Sequence, residues 1–159
     1  MSAMIEFTVE GLPPKKYGAN SMWRKATEIP RLIALREKAY EALGGHSSFT
    51  GRLKLTLILY SDSNTNGDLD NFITGICDGL MAADGKTPID EISWPVNSPI
   101  HPSKKLIYFD DRDIYEIIAA RRPSDGNGNH YYIKLEAENW QSSLLDTLPP
   151  PLYNPNLPA

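Results

Sequence analysis

The stretch "GRLKLTLILYSDSNTNGDLDNFITGICDGL", residues 51–80, carries the chain from a strand through a polar loop into a helix. Leu53, Leu55, Leu57 and Leu59 alternate on one face, and Ile58 and Tyr60 make the other face partly apolar, the pattern of a central strand. From about Asp70 to Ala83 the period changes. Phe72, Ile73, Ile76, Cys77 and Leu80 form an apolar stripe, with Asn71, Thr74 and Asp78 on the opposite side. Upstream, "MIEFTVEG" (4–11) alternates through Ile5, Phe7 and Val9, a half-buried first strand stopped by Gly11 and the Pro13-Pro14 pair. Ile29, Leu32, Leu35, Ala39 and Leu43 then recur at helical spacing, with Pro30 in the first turn and Gly44-Gly45 at the end. Residues 84–108, with Pro88, Pro95, Pro99 and Pro102, read as an irregular insertion. Beyond it, "IYEIIAARR" (114–122) and "HYYIKLEAE" (130–138) flank the turn-rich "PSDGNGN" and read as a terminal hairpin. The expectation is one small α/β (α+β) domain over residues 1–140, order β-α-β-α-β-β, with one mixed sheet and two main helices. A Pro-rich tail follows at 141–159.

Composition narrows the class. The chain has 159 residues, 41% of them hydrophobic and 23% charged, ordinary values for one globular domain. No apolar run approaches a membrane span and no signal-like leader opens the chain, so a soluble, cytoplasmic protein without a membrane is expected. Cys77 stands alone, which excludes an intrachain disulfide and a cysteine zinc site. The net charge of -4 is unevenly spread. Seven basic residues face two acids between Lys15 and Lys38, and seven acids face Lys86 alone between Tyr60 and Glu91. A basic arm beside an acidic cluster suits a protein that holds a polyanion with one and cations with the other; two solvated faces of opposite sign are the plainer explanation.

The acidic stretch admits two chemistries. Asp62-x-Asn64-x-Asn66-Gly67-x-Leu69 begins like an EF-hand loop, but the twelfth position is Ile73, which cannot supply the bidentate carboxylate, and a strand rather than a helix leads in. The other reading is catalytic. If the backbone is extended through Leu69, Asp68 and Asp70 project to one side and share one hard cation; against this, Asp70 also suits a helix N-cap. In "YFDDRDIYEII" Asp111 opens a strand of the same sheet, and its end is expected to reach the pair. Three carboxylates around Mg²⁺ suit phosphodiester hydrolysis. Asp110 and Asp113 read as solvated strand-end residues. The histidines His46, His101 and His130 lack metal spacing, and Trp23 suits either stacking on a base or a place in the core.

"GDLDNFITGICDGLMAADG", then "FDDRDIYEIIAARR", together with the opening "IEFTVEGLPPKK", resembles the RusA family of Holliday junction resolvases. Its pattern is D-L-D-N at a helix start, an Asp eight residues on, then D-D-x-x-[VI] leading into a strand. The match runs from about Ile5 to Glu138. The resemblance implies a Mg²⁺-dependent (Mn²⁺ as the alternative ion) structure-selective endodeoxyribonuclease that cuts four-way or related branched DNA as a homodimer. It places the metal on Asp68, Asp70 and Asp111. Lys15, Lys16, Arg24 and Lys25 are the expected phosphate contacts.

Three features depart from that pattern. Where the family commonly carries a lysine four residues after the second Asp, this chain has Thr74, which can donate a hydrogen bond but brings no charge; Lys104, Lys105 and Arg112 are candidate substitutes. The insertion at 84–108 replaces a short link and offers Asp90 and Glu91 as weaker candidates for the third acid. The net charge is acidic. Alternative readings are a catalytically weakened or inactive DNA-binding protein of the same fold and, further off, a calcium-binding module using the Asp62 loop.

Overall fold

A computed structural model describes residues 4–16, 21–45, 49, 51–62, 65, 67–83, 87–94, 97–108 and 111–137. The main elements follow the expected order: β1 (Met4–Glu10), α1 (Ile29–Leu43), β2 (Leu53–Ser61), α2 (Leu69–Gly79), β3 (Ile114–Pro123) and β4 (His130–Ala137). Single 3-10 turns at Met22–Arg24 and Asp111–Asp113 precede α1 and β3. The strands form one mixed sheet in the order β1-β4-β2-β3. The β1/β4 and β4/β2 pairs are antiparallel, and β2/β3 is parallel.

This order corrects the terminal hairpin. β3 and β4 are consecutive, yet β2 lies between them, with Leu57 opposite both Ala119 and Ile133. The turn-rich segment after β3 crosses the end of β2: Ser124 N–H donates to Ser61 O at 3.2 Å, and Asp62 N–H to Asn129 Oδ1 at 2.9 Å. The physical reason lies in β2. A strand with apolar residues on both faces belongs in the middle of a sheet, and with β4 paired to β1 a β3/β4 hairpin would have left β2 at an edge.

Leu53, Leu55, Leu57 and Leu59 of β2 are fully buried against Leu35, Ala39, Phe72, Ile76 and Leu80 from the two helices. Each such side chain contributes about 1.5–3 kcal/mol of transfer free energy. α1 ends as expected, with Gly44 in the left-handed region at φ 58°. α2 stops at Gly79 rather than near Ala83. Its last carbonyls are taken by the insertion, where Ile107 N–H donates to Leu80 O and the Tyr108 hydroxyl to Cys77 O.

The insertion is irregular but held. Arg36 falls on the apolar stripe of α1, is fully buried, and donates to five backbone carbonyls: Gly79, Met81, Ile100, His101 and Lys104. Burial pushes its guanidinium down to about 9, still leaving it protonated at neutral pH. Trp23 and Trp94 pack 5.7 Å apart in a second cluster with Met22, Ile29 and Leu32. Trp23 is therefore core rather than a surface for a base. Among the described residues no helix is long and apolar enough to cross a membrane.

Candidate metal centre

α2 begins where the extended backbone ends. Asp68, at φ -82° and ψ 146°, is the N-cap, and its carbonyl accepts from Asn71 and Phe72 N–H. Two expectations change here. The capping position belongs to Asp68 rather than Asp70, and Leu69 is already helical, so the pair is not carried on an extended segment. The Asp68 side chain nevertheless makes no capping bond. Both carboxylates are exposed and have no hydrogen-bond or ion-pair partner among the described residues. They border a helix start whose first N–H groups and dipole favour negative charge.

The supports of this corner are tight. Phe72 is fully buried and pins the first turn. Gly67, at φ 126°, lets the chain pass over it: a side-chain carbon there would lie 2.8 Å from the Phe72 ring and 3.3 Å from Lys15 Cδ. Lys15 thus lies along the entrance to α2, with its backbone N–H donating to buried Glu28 at 2.8 Å. Lys16 pairs with Asp78 at 3.0 Å farther along the helix. Arg24 and Lys25 lie in and just after the turn that carries Trp23.

The register sets the backbone that leads into β3 at the far end of α2 from the pair. Ile114, at the start of β3, lies opposite Leu53, at the start of β2. Residues 107 and 108 meet the C-terminal end of α2, and the chain reaches Asp111 from there. Asp68 and Asp70 stand at the other end of that helix, 11 residues long and so about 16 Å in extent. The Asp111 carboxylate lies outside the described residues. Among the described residues no three metal-ligating side chains come together.

Thr74 Oγ1 donates to Asp70 O at 3.0 Å, so its hydroxyl proton is spent on the helix itself. The substitutes expected from the sequence sit at the other end: Lys104 O accepts from Arg36, and Arg112 lies in the turn before β3. Besides Lys15, a cation not expected from the sequence reaches the α2 start, Arg121. It lies opposite Leu59, and its guanidinium donates to Ser61 Oγ (2.8 Å), Gly67 O (2.7 Å) and Thr65 O (3.0 Å). The signal was present as an arginine on the helix-side face of β3, two residues beyond Ala119.

Other candidates resolve into local roles. Asp90 closes its own turn, accepting from Ile92 N–H and Ser93 Oγ, and Glu91 faces His101 at 3.3 Å. His130 stacks on Tyr60 at 4.6 Å. Asp62 accepts from the Ser124 hydroxyl, while Asn64 and Asn66 of the calcium-like loop, His46, Asp110 and the tail 141–159 lie outside the described residues. Compared with known protein families and with curated proteins, the chain matches none of them.

Proposed function

We propose that this protein is a Mg²⁺-dependent, structure-selective endodeoxyribonuclease of the RusA type, nicking four-way or related branched DNA as a homodimer. The observation that carries this reading is the pair Asp68 and Asp70. Two exposed carboxylates at a helix start, neither used as a cap nor paired among the described residues, are left with no evident structural task. Lone acids at such a place are ordinary; two of them beside a fixed arginine and a lysine suit a divalent ion with a phosphodiester next to it. The motif resemblance supports the same assignment. Asp68 and Asp70 would hold the ion together with Asp111, and the ion would polarise the phosphate and lower the pKa of the attacking water.

The homodimer gives Asp111 a way in. β3 is an edge strand that exposes Tyr115, Ile117 and Ile118, each more than 40% accessible. Edge strands of this kind pair readily with a second copy. An antiparallel β3–β3 pairing lays the start of one strand beside the end of the other, which brings the Asp111 of one copy to the α2 start of its partner.

Cleavage of a synthetic four-way junction and of linear duplex, in Mg²⁺, in Ca²⁺ and with EDTA, tests the reading. Selective nicking in Mg²⁺ is expected, reduced at least about a hundredfold in Asp68→Asn and Asp70→Asn. Failure to nick any branched substrate in Mg²⁺ or Mn²⁺ would overturn it. The Thr74 hydrogen bond favours one second reading, a catalytically weakened protein that binds junctions. Junction binding without cleavage under every metal is its signature.

A further inference from the structure

β2 and β3 run parallel and end together, with Leu59 opposite Arg121, Tyr60 opposite Arg122 and Ser61 opposite Pro123. Beside these ends lies an open cavity of about 440 Å³, lined by Ser61, Asp62, Thr65, Arg121, Arg122 and Pro123. Ligands of sheets with parallel strands collect at the carboxyl ends of the strands, where the loops diverge. The chemistry of the lining is specific. Arg121 is fixed by three acceptors, all of them neutral, and it forms no ion pair among the described residues. A guanidinium has five N–H donors, and two of those on Arg121 remain for a ligand. Arg122 is exposed and has no partner among the described residues. Asp62 offsets one of the two positive charges, and its carboxylate is engaged by the Ser124 hydroxyl.

We propose that this cavity is a phosphate-binding site for the nucleic-acid backbone, in which Arg121 holds a phosphate next to the one addressed by Asp68 and Asp70, and Arg122, the next residue along the strand and also in the lining, adds its charge. The inference rests on the nuclease reading and extends it to the strand's path. Gly67, whose carbonyl Arg121 holds, immediately precedes Asp68, so a phosphate seated here adjoins the candidate metal pair. Two guanidiniums suit phosphate better than ammonium groups would, because each presents a planar fork of donors. Arg121 has a second effect: by tying Thr65 and Gly67 to the end of β3, it sets the position of the loop that presents Asp68.

The test uses the full chain and a four-way junction in Ca²⁺, with affinity followed by fluorescence anisotropy from 50 to 200 mM salt, as about the range over which phosphate contacts are weighed. Arg122→Gln is expected to weaken binding roughly five- to tenfold and to lower the slope of log affinity against log salt by about one. Arg122→Lys retains the charge and restores most of the slope, which a purely structural role would not do. Arg121→Gln is expected to lower both affinity and nicking rate, with its circular dichroism melt reporting whether the fold persists. If wild type binds and nicks junctions while Arg122→Gln keeps the wild-type affinity and slope, this inference fails and the nuclease reading stands. If wild type binds no junction, both fall.

Discussion

Replacing Gly75 by alanine tests how the basic segment is held against the candidate site. A Cβ built on Gly75 would stand 2.0 Å from Pro14 O, 2.5 Å from Pro14 C and 3.0 Å from Lys15 N, all of them backbone atoms. Carbon–oxygen contacts ordinarily come no closer than about 3.3 Å, so segment and helix must part by more than an ångström. Overpacking of this size costs about 1–3 kcal/mol, and parting also strains the Lys15 N–H bond to Glu28 and the Lys16 N–H bond to Asn71 O. Alanine recovers about 1 kcal/mol of helix propensity. With about 1 kcal/mol added for the two strained hydrogen bonds, the net expectation is a loss of about 1–3 kcal/mol, a Tm lowered by roughly 3–10 °C for a domain of this size. Gly79→Ala is the matched control. Its Cβ would meet the methyl ends of Leu35 at 2.9 Å and Leu32 at 3.0 Å, flexible groups that can turn aside. Its change is expected within about 1 kcal/mol. Urea melts of both variants give the comparison. A Gly75→Ala protein as stable as wild type, or no less stable than Gly79→Ala, would refute the reasoning. On the nuclease reading Gly75→Ala also weakens junction binding, because Lys15 and Lys16 leave their places.

Arg36→Met should cost about 3–5 kcal/mol and detach the insertion, since five carbonyls, buried or part-buried, lose their donor; proteolysis within 87–108 before global unfolding is the readout, and an unchanged melt would contradict the clamp. The hydrogen bond to Glu6, with burial and the charge of Glu136 adding to it, pushes the Tyr132 phenol up to about 12. Being raised in the folded state, it adds stability that is whole below the unfolded value of about 10 and is lost as pH climbs from there through 12. Ultraviolet titration should show Tyr132 ionising late and returning toward the ordinary value in Glu6→Gln, while buried Tyr131 stays raised in both proteins. Finally, on the nuclease reading Asp70→Asn and Asp111→Asn are each inactive, and mixing them should restore about a quarter of the nicking sites if Asp111 acts across a dimer, because only mixed pairs hold one intact site; no recovery on mixing would mean that the acids belong to one chain.

Periodicity alone located every main element. Leu53 to Leu59 at period two, the α1 stripe ending in Gly44, and the switch to helical spacing after Asp68 are local signals, written in neighbouring residues and legible without a fold. The same holds for the acids, since Asp68 and Asp70 had to flank the start of a helix that follows a strand. The stripe even contained its own exception. Ile29, Leu32, Ala39 and Leu43 leave position 36 on the buried face, and an arginine there had to find partners.

Pairing could not be read this way. Which strand lies beside β2 depends on contacts between residues far apart in the chain, and the turn chemistry after β3 favoured a hairpin that the two apolar faces of β2 overrode. From that one choice the rest follows. A parallel β2/β3 pair sets Asp111 at the opposite end of α2 from Asp68, and it brings Arg121 to the loop before Asp68, some fifty residues away in sequence. The sequence named residues able to bind a metal and a phosphate. Strand order, set by where a doubly apolar strand can be buried, decided which of them share a corner of the molecule.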